Sequence, residues 1–316
     1  MKKLVVSIAT MTLLLAACGA EVSKTTKTSE TSPKTSQTMK KQDQTQGAKL
    51  TKKLASTNWQ GTKVYDENKN DLTQENSQFI GLAKYDGETG DYEFFDAATG
   101  ASRGDAGTFF LTNDGSKRIL ISKTMNYQAV VEVTELTNNQ FTYKRKGKDK
   151  AGNEVVVFVE HVPYKEKELT FTVPKKAAMA VTAKIDTTQR GTEILGKTLW
   201  NGTRVTDEAG NDVTKANQNF ISLAKFDDKT NQYEFFKVET GESRGDYGYF
   251  DVLNHNTQRA HVSLGTNKYG AVLELTELTP NKFTYTRMGK NNEGQDVKIF
   301  VEHVPYKGTL KPAFTV

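Results

Sequence analysis

A histidine beside a carboxylate is the pairing in this 316-residue chain best suited to moving protons. It occurs as Glu160-His161-Val-Pro-Tyr164 and again as Glu302-His303-Val-Pro-Tyr306. In an extended chain successive side chains point to opposite faces, which separates each Glu from its His. His161 shares a face with Val155, Val157 and Val159, so the spacing predicts a hydrogen-bonded core or floor histidine, with Pro163 ending the strand. An enzyme using Glu160, His161 and Tyr164 is therefore the least favoured reading, and no catalytic residue is assigned. Of the histidines His161, His255, His261 and His303, only one position is common to both halves of the chain. There is no paired Cys, calcium-loop carboxylate cluster, Gly-rich phosphate cradle or Gly-x-Ser-x-Gly turn, so nothing points to a metal or a cofactor.

The elements that must carry these residues form a tandem repeat. Phe158-Val-Glu-His-Val-Pro-Tyr-Lys165 recurs unchanged as Phe300 to Lys307, and Trp59-Gln-Gly-Thr62 answers to Trp200-Asn-Gly-Thr203. The expected organisation is a signal segment over 1–17, a disordered tether over 18–53, repeats over 54–173 and 195–316, and a linker over 174–194. Within each repeat the apolar period is two: Val131 and Val133 face one way, Glu132 and Thr134 the other, and Leu273 and Leu275 keep that register. Turn signals such as Asp86-Gly, Asn113-Asp-Gly and Ala151-Gly-Asn separate the runs. The pattern predicts about eight strands per repeat, starting near Trp59, Phe79, Tyr92, Gly107, Arg118, Ala129, Phe141 and Glu154. No helical stripe stands out beyond one turn at 72–78 and a short stretch at 177–184. The fold class is all-β: two tandem antiparallel up-and-down barrels, since a meander of this length removes its edges by closing. A two-sheet sandwich is the alternative. The linker predicts domain motion as the default.

The opening of each repeat, Leu54-x4-Trp59-x-Gly-Thr, resembles the first strand of calycin-type barrels, although Thr57 and Thr198 stand where lipocalins carry Gly. That resemblance implies that Trp59 and Trp200 plug barrel floors and that Arg145 and Arg287 cover them. The whole chain also resembles tandem lipoproteins of Gram-positive bacteria whose repeated domain has no assigned activity.

The aromatics are the next clue. Phe79, Tyr85, Phe94 and Tyr143, with Phe220, Phe226, Phe235 and Tyr285, either fill the barrels or line an apolar cup for a small ligand. Arg103-Gly104-Asp105 and Arg244-Gly245-Asp246 resemble the integrin-recognition tripeptide of adhesive proteins. Ser-Arg-Gly-Asp is also good turn material before a strand at Gly107 or Gly248, which is the favoured reading.

At the start, Lys2-Lys3 precedes an apolar run over 4–17 that as a helix would span about 21 Å, short of the ~30 Å hydrocarbon core. This reads as a secretory signal. Its end, Leu15-Ala16-Ala17-Cys18, resembles the lipobox of bacterial lipoproteins, which implies diacylation of Cys18 and anchoring to the extracytoplasmic face of the cell membrane. Cys18 is the only cysteine, so no disulfide can form within one chain. The tether carries eight lysines against Glu21, Glu30 and Asp43, enough to account for the chain's net charge of +5. The basic excess thus belongs to the leash, suited to anionic lipid or wall polymer, and nucleic-acid binding is disfavoured. Together these features predict a lipid-anchored surface protein whose barrels bind a small apolar ligand or a cell-envelope partner without catalysis. A structural or adhesive display protein with filled barrels is the alternative.

Overall fold

The computed structural model describes residues 45–173 and 184–315. The lipobox with Cys18, most of the tether, and residues 177–183 of the stretch expected to be helical lie outside the described residues. Two closed eight-stranded antiparallel barrels follow one another along the chain, each in up-and-down order.

The first comprises β1 (Asn58–Tyr65), β2 (Leu82–Tyr85), β3 (Asp91–Phe95), β4 (Ser102–Leu111), β5 (Lys117–Ser122), β6 (Tyr127–Leu136), β7 (Phe141–Lys148) and β8 (Glu154–Tyr164). It closes where β8 pairs back onto β1, with Val64 opposite Val159 and Gly61 opposite His161. The second repeats this as β9 (Trp200–Asp207), β10 (Leu223–Phe226), β11 (Gln232–Phe236), β12 (Ser243–Leu253), β13 (Gln258–Ser263), β14 (Tyr269–Thr279), β15 (Lys282–Lys290) and β16 (Asp296–Pro305), with β16 closing onto β9. The period-two faces explain the barrels directly, because Trp59, Phe109, Val131, Phe141, Val157 and Val159 all turn inward and are buried.

Three local expectations are corrected. A helix, α1 (Gln46–Ala55), occupies residues expected to belong to the disordered tether as far as Lys53. Thr45 caps it by accepting the Ala48 N–H, Lys52 and Lys53 suit its C-terminal dipole, and Leu54 is fully buried in the barrel core. Too few apolar residues face the barrel for the stripe to show in sequence. A shorter helix, α2 (Gly191–Gly196), stands in the same place before the second barrel and buries Ile194 and Leu195. Second, Phe79 does not open a strand but ends a 3₁₀ turn, Ser77–Phe79. Third, the Ser-Arg-Gly-Asp stretch is not a turn ahead of a strand. It lies inside β4, where Asp105 pairs with Phe94 and Ser102 with Phe95, so that Arg103 and Gly104 form a bulge. Gly104 takes φ +70° there and Gly245 takes +71° in the second copy, a conformation that other residues adopt at a cost.

The barrels do not behave as beads on a linker. Phe110, Ile119 and Ile121 of the first form a buried apolar seam with Ala260 and Val262 of the second. Asn113 donates its backbone N–H to the Asn231 side chain, and Arg190 donates to Asn113 Oδ1 at 2.6 Å. The seam exists because β5 is apolar on both faces: Leu120 points inward while Ile119 and Ile121 point out. Independent domain motion is not what this packing supports.

After each last strand the chain folds back as a strap. Leu169 packs on the outer face of the barrel against Leu82 and Phe95. Thr172 donates both its backbone N–H and its hydroxyl to the carboxylate of Glu93, which is fully buried. Thr315 does the same to Glu234. Among the described residues no helix is long and apolar enough to cross a membrane.

Candidate functional site

The first barrel encloses a cavity of about 300 Å³. Phe79, Ala83, Phe94, Leu120, Val131 and Tyr143 supply its apolar wall, and Arg103, Asp105, Arg118, Tyr127, Arg145 and His161 its polar part. Of the aromatics expected to line a cup, Phe79, Phe94 and Tyr143 do so. Tyr85 lies behind the wall, edge-on to Phe109 at 4.8 Å, with its hydroxyl turned to Arg118. In the second barrel Phe226 packs on Phe250 at 4.7 Å, and Phe235 sits edge-on to it. Tyr285 lies between His303 and Arg259, and Phe220 sits beneath Arg287.

The Trp residues are fully buried, and each indole N–H donates to a carbonyl of the preceding helix: Trp59 to Leu54 O at 2.7 Å, Trp200 to Leu195 O at 2.9 Å. These bonds satisfy carbonyls that a helix end otherwise leaves without partners. The arginines expected to cover the indoles do something else. Arg145 stacks 3.9 Å from the Phe79 ring centre, and Arg287 stacks likewise on Phe220. The reason is register: Trp59 lies beside Pro163 at one end of β8, whereas Arg145 pairs with Val157, well along the strand.

A different arginine holds the interior. Arg118 is 2% exposed and projects from β5 on the same face as Leu120. Its guanidinium lies 4.4 Å from the Tyr143 ring centre and 5.1 Å from that of Phe141, while Nη1 donates to the Tyr85 hydroxyl. Its Nε has no partner, and among the described residues no carboxylate stands within ion-pair distance. Arginine does not shed its proton in a protein, so a positive charge is buried at the cavity without a counter-charge. The sequence did carry a signal for it: an Arg on the inward parity of an otherwise apolar strand, at the same place in both repeats, as Arg118 and Arg259.

His161 is 5% exposed and lies 5.3 Å, centre to centre, from both Phe141 and Tyr143. Burial, with the charge of Arg118 second, pushes its pKa down to about 3, so the ring is neutral at physiological pH. Its Nδ1 has no partner. Glu160 points the other way and accepts from Gln140 at 3.3 Å, while Tyr164 packs beside the strap. Glu160, His161 and Tyr164 are thus not brought together. Burial also drives the Tyr85 phenol up to about 12, which leaves it a neutral partner for Arg118.

At the cavity rim, Asp105 accepts hydroxyl hydrogens from Tyr92 at 3.0 Å, Ser122 at 2.8 Å and Tyr127 at 2.6 Å. Asp246 accepts from Tyr233 and Tyr269. Arg103 donates to Gln78 O, and Arg244 to the carbonyls of Asn219 and Ile221. Each Arg-Gly-Asp is therefore a bulge whose charged ends tie the rim together, and neither Asp is displayed for a partner. Among the described residues no three His, Cys, Asp or Glu side chains gather into a metal-holding group.

The chain belongs to the family described as domain of unknown function DUF4822, matched twice, over residues 51–171 and 192–314. No curated protein matches it. Among solved structures it is similar to a protein of unknown function from the DUF3598 family of Nostoc punctiforme, at 9% identity over 81% of this chain and 98% of that chain, with a TM-score of 0.22. It is also similar to a protein titled a putative thioesterase II from Thermobifida fusca, at 8% identity over 57% and 75% of the two chains, with a TM-score of 0.10. At these scores neither likeness carries an argument.

Proposed function

We propose that this is an extracytoplasmic lipoprotein, held to the cell membrane through acylated Cys18, whose first barrel binds a small molecule with an apolar body and an anionic end. The observation that carries the reading is Arg118: a buried, permanently charged side chain on the wall of a cavity of about 300 Å³, lacking any carboxylate partner. An unpaired buried charge costs stability, and proteins tolerate such a cost chiefly where it serves a site. Phe79, Phe94 and Leu120 offer the apolar body its surface, and Arg103 and Arg145 add positive charge around the cavity. A non-enzymatic role suits an interior in which Glu160 and His161 face apart. The adhesive reading is disfavoured because the Asp105 and Asp246 carboxylates are already occupied.

A fluorescent dye pairing an aromatic body with a sulfonate, such as 8-anilinonaphthalene-1-sulfonate, tests this directly. Arg118→Met keeps the volume and removes the charge. The expected result is at least a tenfold weaker dye affinity in the folded variant, together with a ligand-free melting temperature no lower than that of the parent. Unchanged affinity, or a variant that loses stability without losing affinity, would sink the reading.

A further inference from the structure

The two barrels keep the same strand register, and two interior differences in the neighbourhood of the buried arginine change polarity and not only size. Tyr85, opposite Tyr92 in the β2–β3 pair, becomes Phe226, opposite Tyr233. Leu120, opposite Ala129, becomes His261, opposite Ala271. The first change removes the hydroxyl that occupies Nη1 of Arg118, and in the second barrel both Nε and Nη1 of Arg259 are buried without a partner. The second change replaces an apolar wall residue by a base. His261 is 4% exposed, meets Tyr233 and Tyr269 edge-on at 5.4 and 5.5 Å, and has no partner on Nδ1. It projects from the same face of β13 as Arg259, two residues and roughly 7 Å along the strand. His303 of β16, 2% exposed and stacked on Phe283 at 4.4 Å, also has a free Nδ1, and Tyr285 joins it to Arg259 at centre distances of 5.6 and 4.7 Å.

Four buried nitrogens on three basic side chains thus lack acceptors in the second barrel, against two, Arg118 Nε and His161 Nδ1, in the first. Arg287 adds positive charge felt at His261. Of the two acids on β12, Asp251 stands opposite Ala260 and accepts from the Thr192 hydroxyl, while Asp246 accepts from Tyr233 and Tyr269 at 2.9 and 2.8 Å. We infer that the second barrel is a separate site for a compact oxyanion of the phosphate class, held by Arg259, His261 and His303, and that positions 226 and 261 set this preference against the apolar-bodied ligand of the first barrel. The inference rests on the ligand-binding reading of the barrels. A dianion can accept from several N–H donors at once, and each imidazole can present a donor to it by choice of tautomer or by taking up a proton. A neutral apolar ligand would leave all four nitrogens as they are.

Inorganic phosphate is the probe, titrated into the full chain in detergent and followed through the imidazole resonances of the four histidines. His261 and His303 are expected to shift in saturable fashion while His161 stays unmoved. Phe226→Tyr with His261→Leu installs residues that the sister barrel already accommodates, and should weaken phosphate binding at least tenfold without unfolding the chain. The reverse pair, Tyr85→Phe with Leu120→His, should bring His161 into the phosphate response. Glycerol 3-phosphate in a parallel titration separates a free ion from an esterified headgroup, and the stronger response names the source. No histidine shift at 10 mM phosphate, or a shift of His161 equal to those of His261 and His303, would overturn the inference. Dye binding governed by Arg118 is scored separately, so loss of that site with the phosphate response intact would fault only the first-barrel reading.

Discussion

Replacing Trp59 by Ala probes the joint between helix and barrel on which the first repeat is built. The indole is fully buried, edge-on to Phe141 at 5.8 Å, and donates to Leu54 O at 2.7 Å. A Trp side chain buries about 150–250 Å², which at ~25 cal/mol per Å² is roughly 4–6 kcal/mol of transfer free energy. Measured large-to-small changes of this kind cost about 3–5 kcal/mol, and losing the partner of the Leu54 carbonyl adds about 1 kcal/mol. A net loss of about 5 kcal/mol is expected, equivalent to a fall of roughly 20 °C in the melting temperature of a domain this size. Trp59→Phe keeps most of the area, loses the N–H, and should cost about 1–2 kcal/mol. Urea unfolding followed by far-UV circular dichroism is the assay for the first barrel, while the fluorescence of Trp200, the one tryptophan left in the variant, reports on the second barrel. The seam of Phe110, Ile119, Ile121, Ala260 and Val262 should pass a small part of the loss to the second barrel. A total cost below about 1 kcal/mol, or a native Trp59 open to quencher, would refute the plug.

Cys18→Ala should release the protein from membranes or leave it as uncleaved precursor; normal processing with unchanged membrane retention would remove the anchoring proposal. For His161, the unfolded chain takes a proton near pH 6.5 that the folded barrel refuses until about pH 3, so stability is full above pH 6.5 and is lost as pH falls between those values. The loss should reach about 2 kcal/mol by pH 5. His161→Phe should remove about that much of the acid dependence in urea titrations and leave the part that buried His261 and His303, also lowered by burial, contribute; an unaltered acid limb would show that the His161 ring adds nothing to it. Asp105→Asn weakens three hydroxyl hydrogen bonds and should cost about 2 kcal/mol while leaving adhesion to host cells unchanged. Lost adhesion at unchanged stability would revive the recognition reading of Arg-Gly-Asp.

The closed barrels were legible because period-two faces and turn residues recur in both repeats, and a long antiparallel meander has few other ways to hide its edges. The inward histidine was legible for the same reason, as parity alone separates Glu160 from His161. What escaped was whatever depends on partners distant in sequence. Helix α1 draws its stability from Leu54 packed under Trp59 rather than from its own composition. The straps depend on Glu93 and Glu234, charged residues buried at the centre of apolar runs, whose hydrogen-bonding partners lie 79 and 81 residues away. The bulge at Gly104 depends on a register shift that strand alternation does not encode. Arg118 was readable in principle, from its parity on β5, but Arg145 matched the expected place on a late strand and drew the assignment instead.

The central claim is that the first barrel is occupied in the cell by a small molecule with an anionic end. Native mass spectrometry of the chain purified from its own envelope tests it most directly. The expected result is a bound small mass that is acidic on fragmentation, retained by the parent protein and absent from folded Arg118→Met. An empty parent protein, or a bound mass that Arg118→Met retains in full, would contradict it.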